Sequence, residues 1–477
     1  MTTFSTLSTA LSSMTAQRAA LDVAGQNVAN VNTLGYTRQR ADMSSVSSVA
    51  SASRFSSGLT VGQGVTVNGV ARLGDIFADA RVRSSTSLAA DMTARAEAYT
   101  RLESTVTEPS DKGVASQLAS FWASWQDVSN NPGEAAPAQV VLEAAAILTD
   151  AISRGYTAVA TQWDETRVQV DALVTEVNTA ARGVAELNGA IRSVLVSGGN
   201  ANELMDKRDQ LTVRLSELTG ATARPMADGT TTVSIGGNPL VSGDTAYGLH
   251  LAGATTMTGV DGTPGSTPRI EWDRTTAGDV SLDGGRLAGM IASLGPTTPD
   301  GRGGMLTEAA AAYNSLAEKL HATVNAVHQT GATTTGATGL DFFSLKADTP
   351  PALGLTVAVT DYRDLAAGEP GAGAFDGTIA DKIGQIGTRA DSPDRDWQRF
   401  VVDLGVSTQA AVRSSAVSEN ARATAEQFQL AQTSVDVDEE TINMLAFQRA
   451  YQGAARVLTT VDEMLDTLIN RTGVVGR

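Results

Sequence analysis

The sequence predicts a mainly α-helical chain with β-rich inserts, an α+β fold built on a long helical rod. Two observations lead to this prediction. Apolar residues recur at intervals of three, four or seven positions near both ends of the chain and in its middle, and two stretches rich in Gly, Pro and Thr interrupt that pattern. Because helical segments bracket the inserts, we expect the N- and C-terminal helices to pair as a coiled coil.

Each end of the chain carries one apolar helical stripe. The N-terminal stripe consists of Phe4, Leu7, Leu11, Met14, Leu21 and Val28. The C-terminal stripe consists of Ile442, Leu445, Ala455, Leu458, Val461, Leu465 and Leu468. Acidic residues at 436–440 precede the second stripe, where carboxylates favour a helix start. Since each helix has only one narrow apolar side, each is marginal alone and needs a partner.

The longest regular pattern lies in the middle of the chain. Its apolar positions fall seven apart at Trp163, Val170, Val177, Val184 and Ile191. A turn cluster at 197–202 ends this helix and a second apolar helix follows, which predicts an antiparallel hairpin. Later, Val417 and Phe428 mark an apolar side of another helix between 397 and 435.

Two non-helical segments define the inserts. The first, 221–299, contains strand candidates at 230–235 and 269–272, and the second, 331–387, contains one at 355–360. The predicted division is therefore a terminal coiled-coil domain of 1–40 plus 436–477, a helical rod of 41–220 plus 300–330 plus 388–435, a β-rich insert of 221–299 and a second β or loop insert of 331–387.

Composition excludes several classes of function. The 477 residues carry a net charge of −17, which repels phosphate backbones and anionic lipid, so we expect no nucleic-acid partner. The chain has no cysteine, which removes disulfides, thiolate catalysis and cysteine-based zinc sites. The N-terminus lacks the pattern of a secretory signal, and no run of about 20 apolar residues is present, so we expect no membrane insertion.

The few constellations with chemical potential have simpler structural explanations. His321 and His328 lie seven apart on a predicted helix but have no HExxH pattern, so we interpret them as packing or surface residues. The acids at 436–440 lack the glycine and terminal glutamate of a calcium loop. Glycines between Gly58 and Gly69 predict a turn between strands, because no phosphate-binding fingerprint is completed.

We therefore predict a protein that is not an enzyme and has no catalytic, cofactor or metal site. Trp122 and Trp125, three apart on a predicted helix, are interpreted as core anchors. The competing hypothesis is a hydrolase or extracellular binding protein that uses the β inserts as a ligand site. It would need a cluster of exposed aromatic residues, for which Trp272 and Tyr247 alone are thin support.

An asparagine-rich segment follows the N-terminal stripe and reads Asn27-Val-Ala-Asn-Val-Asn-Thr-Leu-Gly-Tyr-Thr-Arg-Gln39. It resembles the motif of the flagellar rod, hook and hook-associated family, with matches at Asn27, Asn30, Asn32, Thr33, Gly35 and Tyr36. The continuation through Arg38 and Gln39, the segments 202–211 and 282–287, and the end of the C-terminal stripe are similar to the hook-associated branch. The chain continues beyond that branch's usual end with 470–477.

The resemblance implies a structural subunit at the junction between hook and filament. It implies a homo-oligomeric ring that contacts the hook protein and a second junction protein, export through the flagellar type III apparatus, and a dedicated chaperone at the C-terminal helix. The chain would be cytoplasmic before export and extracellular afterwards. The alternative within the family is a hook or distal-rod subunit. The assembly residues we predict are Phe4, Leu7, Leu11, Met14, Leu21, Asn27, Asn30, Asn32, Gly35, Tyr36, Arg38, Gln39, Ile442, Leu445, Phe447, Tyr451, Leu458, Leu465, Leu468 and Ile469.

Overall fold

The structure is a computed structural model that describes residues 3–47, 62–263, 265–274, 278–301 and 303–471. Its α-helices are α1 (Thr3–Ala29), α2 (Ile76–Val106), α3 (Val114–Asn130), α4 (Ala135–Val196), α5 (Asn202–Thr219), α6 (Gly285–Ser293), α7 (Met305–His328), α8 (Pro351–Gly354), α9 (Thr378–Gly384), α10 (Pro393–Thr433) and α11 (Val437–Asp466). A π-helical turn, Thr467–Arg471, extends α11. The strands are β1 (Gln39–Ser45), β2 (Val65–Arg72), β3 (Thr222–Pro225), β4 (Thr231–Ile235), β5 (Asn238–Ser242), β6 (Thr245–Ala246), β7 (Leu249–Ala252), β8 (Arg269–Trp272), β9 (Phe343–Leu345) and β10 (Leu355–Val357). The predicted fold class, mainly helical with small inserted sheets, is confirmed.

The 62-residue helix α4 forms the axis of the molecule. At 1.5 Å per residue it is about 93 Å long. The five heptad positions from Trp163 to Ile191 are fully buried, and α3, α5 and α7 pack against the helix. The indole nitrogen of Trp163 also donates to the carbonyl of Leu294 at 3.3 Å. The predicted heptad is therefore the side of α4 that the rest of the rod covers.

By length and composition α4 is also apolar enough to cross a membrane, which the sequence prediction did not anticipate. Its most apolar window has a mean hydropathy of 1.4, and 28% of that window is buried. The core helix of a soluble protein meets the same requirements, so this property is a weak indication of a membrane span.

An aromatic cluster anchors α3 to the later part of the chain. Trp125 is fully buried, and its ring centroid lies 5.2 Å from that of Phe342. Trp122 is nearly buried and donates its indole N–H to the carboxylate of Asp394 at the start of α10. The predicted core role of both tryptophans is confirmed.

His328, at the end of α7, is a fully buried member of the same cluster. Its Nδ1 lies 2.7 Å from the carbonyl oxygen of Leu340, and its Nε2 accepts the backbone N–H of Ala366 at 3.0 Å. Because a carbonyl can only accept, Nδ1 carries the proton and the ring is neutral. Burial lowers the pKa of His328 below its ordinary value of 6.5. His328 is thus a packing residue, as the sequence indicated.

The first insert contains two small antiparallel sheets, β3-β4-β5-β6 and β7-β8. The strand candidates at 230–235 and 269–272 correspond to β4 and β8. Helix α6, which lies inside the predicted β-rich insert, was not predicted. Gly285 has φ +81, and a Cβ there would lie 2.5 Å from the backbone nitrogen of Thr219. Glycine at this position lets α6 approach the end of α5.

The second insert is mostly irregular and includes the short helices α8 and α9. The strand candidate at 355–360 is only three residues long, β10, and it pairs antiparallel with β9.

Residues 39–45 and 65–72 form strands, whereas the predicted helical rod begins at 41. Strands β1 and β2 pair antiparallel, with a bulge where Asp42 pairs with Gly69 and Met43 pairs with Val67. Gly62 and Gly64 precede β2, in accord with the predicted turn between strands, whereas Gly58 lies outside the described residues.

Helix α10 packs along α2, with a different side buried from the one we predicted. The covered positions include Trp397, Leu404, Ser418 and Ala425, which share a seven-residue period, and the hydroxyls of Thr93 and Ser415 meet at 3.0 Å. Val417 and Phe428 are exposed instead. Hydropathy did not predict the covered side of α10, because half of the covered positions named above are polar or small.

We expect Trp163→Ala to lower the free energy of unfolding by about 3–5 kcal/mol, because it removes a fully buried indole and leaves a cavity. Val168→Ala on the exposed side of the same helix should change it by less than about 0.5 kcal/mol. Urea denaturation followed by circular dichroism measures both. Equal effects would contradict the buried heptad.

We expect the free energy of unfolding to fall as the pH drops below about 6.5, with a slope of at most about 1.4 kcal/mol per pH unit from His328. The unfolded state takes up the proton first, because the pKa of His328 is lowered only in the folded chain. His328→Gln should flatten this part of the profile, and His321→Gln should leave it in place. Denaturation between pH 7.5 and about pH 5 measures the slope, and an unchanged profile in His328→Gln would rule the mechanism out.

Candidate functional site

Helices α1 and α11, from opposite ends of the chain, pack against each other. They run antiparallel, because the segment that leaves the C-terminal end of α1 brings Arg38 to Glu440 in the first turn of α11. The predicted pairing of the terminal helices is therefore present in the single chain. Asp436 begins α11 as its N-cap and accepts the backbone N–H groups of Asp438 and Glu439.

The side of α1 that is covered consists of small residues rather than the predicted large ones. Its buried apolar residues are Ala10, Ala16, Ala20 and Ala24. On α11 the covered positions are Glu440 and Val461, with Phe447, Leu458 and Leu465 partly covered. Alanine lets two helices approach closely, so the larger side chains lie beside the seam.

Most of the predicted apolar assembly residues consequently face solvent in the single chain. The exposed ones are Phe4, Leu11, Ile442, Leu445, Tyr451, Leu468 and Ile469. The partly covered ones are Leu7, Met14 and Leu21, together with Phe447, Leu458 and Leu465. Phe4 is 70% exposed and Ile469 is 74% exposed, which is unusual for large apolar side chains. The terminal pair thus presents an uncovered apolar surface.

The asparagine-rich segment is held by the side chain of Asn27, which is 1% exposed. Its Nδ2 donates to the carbonyl of Gln39 at 2.9 Å, and its Oδ1 accepts the N–H of Gln39 at 3.0 Å and the hydroxyl of Tyr36 at 2.9 Å. The side-chain amide of Asn27 therefore makes the two hydrogen bonds with the backbone of Gln39 that a neighbouring β-strand would make. Burial, assisted by the negative charge of Asp206, raises the pKa of Tyr36 to about 12, so its hydroxyl stays protonated.

The tip of the segment rests on α5. Gly35 has φ +74, and a Cβ there would collide with the side chain of Gln210, whose Nε2 donates to the carbonyl of Leu34 at 2.9 Å. Glycine is thus required both by conformation and by the close approach. Asn30 donates back to the carbonyl of Gln26 at 2.9 Å, whereas Asn32 is exposed.

Arg38 connects the segment to the start of α11. Its Nε donates to Glu440 Oε1 at 2.7 Å, its Nη1 donates to Glu439 Oε2 at 3.0 Å, and its backbone N–H donates to the carbonyl of Thr433 at 2.9 Å. The hydrogen bond with Glu439 is the main reason that the pKa of Arg38 is raised. Glu440 is almost fully buried, so this pair is more than a surface contact.

A second ionic group, which the sequence alone did not reveal, joins the segment to α5 and β2. Arg72 Nη2 lies 2.8 Å from Asp209 Oδ2 and 2.6 Å from Asp206 Oδ1, the latter a charge contact rather than a well-aligned hydrogen bond. Asp206 also accepts the N–H of Thr37 at 3.3 Å. Burial raises the pKa of Asp206, and Arg72 opposes that effect. The segment 202–211 stood out by resemblance, but its aspartates gave no sign of being buried.

Gln39 completes the link to α5. Its Oε1 accepts the Nδ2 of Asn202 at 3.0 Å, and the same Nδ2 donates to the carbonyl of Val70 in β2 at 2.9 Å. Residues 27–39 therefore contact α1, β2, α5, the end of α10 and the start of α11. In the part of the chain that the structure describes, no group of three or more His, Cys, Asp or Glu is placed to hold a metal ion. These polar contacts position chain segments, and none resembles a catalytic arrangement.

Profiles of known protein families match both ends of the chain and its middle. A profile described as the flagellar hook-associated protein FlgK helical domain matches residues 99–343. Profiles of the flagella basal body rod protein and of the flagellar basal body rod FlgEFG protein C-terminal region match residues 7–37 and 427–471. The two rod profiles thus cover α1 with its asparagine-rich segment and α11.

Whole-chain relatives agree with these matches. The chain is 30% identical to flagellar hook-associated protein 1 of Bacillus subtilis, over 100% of this chain and 99% of the relative. It is 25% identical to the protein of the same name from Escherichia coli, over 98% and 99%. The fold is similar to that of the flagellar hook junction protein FlgK from Burkholderia pseudomallei, with a TM-score of 0.63 and 15% identity, over 74% of this chain and 100% of that one.

We expect Asn27→Ala to lower the free energy of unfolding by roughly 2 kcal/mol or more, because both backbone groups of Gln39 lose a buried partner. Hydrogen exchange should show faster exchange at the Gln39 amide. Asn27→Asp keeps the acceptor but places a buried carboxylate against the carbonyl of Gln39, so it should be at least as destabilising as Asn27→Ala. Asn32→Ala, at an exposed position, serves as the control and should stay within about 0.5 kcal/mol. Indistinguishable behaviour of Asn27→Ala and Asn32→Ala would refute the role of this amide.

Proposed function

The chain belongs to the flagellar hook-associated protein 1 family, and we propose that it forms the junction between the hook and the filament. Members of this family are structural components of the flagellar axis, which is assembled outside the cell. The finer assignment to the junction rests on the names of the relatives and on the arrangement of the chain ends.

The observation that carries the proposal is the apolar surface of the paired ends. The segments that match the rod profiles are the ones that pair as α1 and α11. Phe4, Leu11, Ile442 and Ile469 lie on this pair and remain exposed in the single chain. Several large exposed apolar side chains on one helix pair are typical of a protein interface, so we assign them to contacts with neighbouring subunits.

We propose that the partners are other copies of the chain in a homo-oligomeric ring, the hook protein on one side and a second junction protein on the other. The exposed apolar side of α10, which includes Val406 and Val417, offers further area for such contacts. A subunit that contacts neighbours above, below and beside it needs more than one apolar surface. In this chain the α1–α11 pair offers one and α10 offers another.

We also propose export through the flagellar type III apparatus, with a chaperone at α11. Isolated helices with one narrow apolar side are marginal in water, which keeps the ends unfolded until they meet a partner. A chaperone that covers Ile442, Leu445 and Ile469 would protect the same side chains that later contact neighbours. The chain would be cytoplasmic until that step.

The alternative is a hook or distal-rod subunit. The rod profiles that match both ends of the chain are as consistent with this alternative as with the junction. The match of residues 99–343 to the FlgK helical domain, which includes α4, favours the junction. The proposal assigns no catalytic role to the chain, in line with the structural character of the family.

We expect Leu465→Asp to reduce filament attachment sharply, because an unpaired charge in the seam with α1 costs roughly 2 kcal/mol or more and shifts the chain about 30-fold away from the paired helices. Thr459→Asp places the same charge at an exposed position of α11 and should preserve attachment. Both variants would be expressed in cells that lack the wild-type chain, and hooks with and without filaments would be counted by electron microscopy.

Localisation is the second part of this test. Antibody labelling should place the wild-type chain between hook and filament, and chaperone capture of Leu465→Asp should weaken together with attachment. Full filaments on cells that carry Leu465→Asp, or label spread along the hook or rod, would count against the proposal.

A further inference from the structure

A cleft of about 1000 Å³ opens beside the asparagine-rich segment. Residues 30–37 form one wall of the cleft. The start of α2, the later part of β3, part of α5 and the end of α10 form the other walls. The cleft is separate from the seam between α1 and α11. It therefore offers a second surface where the rod meets the terminal pair.

Large apolar side chains surround this cleft. They are Val31, Leu34, Ile76, Phe77, Met226 and Leu430, and all of them are exposed. Leu34 is 91% exposed and Phe77 is 78% exposed. Six such residues around one concave surface indicate a site for an apolar partner segment, since single exposed apolar residues are ordinary but a ring of them is not.

A positive charge without an ionic partner lines the same cleft. Arg83 on α2 makes no ion pair or hydrogen bond with any residue in the described ranges. The negative charges of Asp79 and Asp209 oppose the lowering of its pKa by burial but do not cancel it. Their carboxylates contact Gln429 and Arg72 instead. Burial is the dominant influence and lowers the pKa of Arg83. A carboxylate from outside would offset this desolvation.

We propose that this cleft binds the C-terminal end of α11 from a second copy of the chain. The inference rests on the proposed function, since it requires copies to be neighbours in the ring. It specifies which surface of one copy contacts which surface of the next.

The end of α11 has the complementary chemistry. Met464 and Ile469 are exposed apolar residues there, and Asp466 lies between them in sequence, with Glu463 adjacent. In the described part of the chain neither carboxylate forms an ion pair with a basic residue. The segment therefore supplies both an apolar surface for the rim of the cleft and a carboxylate for Arg83.

Geometry makes the contact intermolecular. Helix α11 begins at Val437, two residues after Val435, which lines the cleft. Its 30 residues then carry its far end about 45 Å away, so the chain's own C-terminal segment cannot turn back into the cleft. A neighbouring copy in the ring can supply it. Such a head-to-tail contact joins two different surfaces and builds rings or helical stacks.

The test uses the absence of cysteine from the natural chain. Phe77→Cys and Ile469→Cys are combined in one chain, and flagella are isolated from cells that carry only this variant and still swim. Mild oxidation should replace most of the monomer band on a non-reducing gel with dimers and longer ladders. Each single variant, and the pair Phe375→Cys with Ile469→Cys, should give no ladder, because Phe375 is exposed but does not line the cleft.

Charge reversal gives an independent measurement. Arg83→Glu should weaken assembly by roughly 30-fold or more, and the addition of Asp466→Arg should restore most of it, which a purely structural role of Arg83 would not allow. A cross-link of Ile469→Cys to a protein of different mass would overturn the choice of a second copy.

The outcomes separate this inference from the proposed function. If the chain labels the junction but the double-cysteine variant forms no ladder, the cleft contact is wrong and the junction role stands. If the chain is absent from the junction, the proposed function fails and this inference fails with it.

Discussion

The ion pair between Arg38 and Glu440 holds the two ends of the chain at one place in the molecule. The guanidinium contacts both Glu439 and Glu440, and Glu440 is almost fully buried. Breaking one partner of a buried pair costs far more than a surface contact. Around it, Asn27 fixes Gln39, and Gln39 contacts Asn202 of α5. The directions of α1, β1 and α11 all depend on this group of contacts.

Sequence patterns predicted the elements in which large apolar residues recur at a regular spacing and are buried. The heptad of α4 was visible because five positions seven apart are large or β-branched residues, and all are fully buried. The strands β4 and β8 were visible for the corresponding reason at a period of two. In both cases hydropathy and burial coincide, so the pattern in the sequence and the pattern in the fold are the same.

Prediction failed where burial is polar or depends on small residues. The covered side of α1 is alanine, and that of α10 includes Ser418 and Ala425, so hydropathy pointed to positions beside the covered ones. Arg72 donates to the hydroxyl of Thr37, 35 positions away, and Asp206 accepts the backbone N–H of the same residue from 169 positions away. No local spacing reveals such a partnership. The asparagine-rich segment was found by resemblance, and only the structure showed which atoms its amide groups contact.

The separation of 402 residues between Arg38 and Glu440 sets an order of events in folding. Closing a flexible loop of that length costs roughly 5 kcal/mol of chain entropy, which is more than one ion pair returns, so the contact is unfavourable before the rest of the chain has packed. Once α2 to α10 have packed, that cost is already met and the two partners stand close together. The ends therefore close last, after the central rod exists. The helices α1 and α11 can therefore pair only when the rest of the chain is correctly folded. Because their apolar surface forms only on such a subunit, assembly through it is restricted to correctly folded subunits.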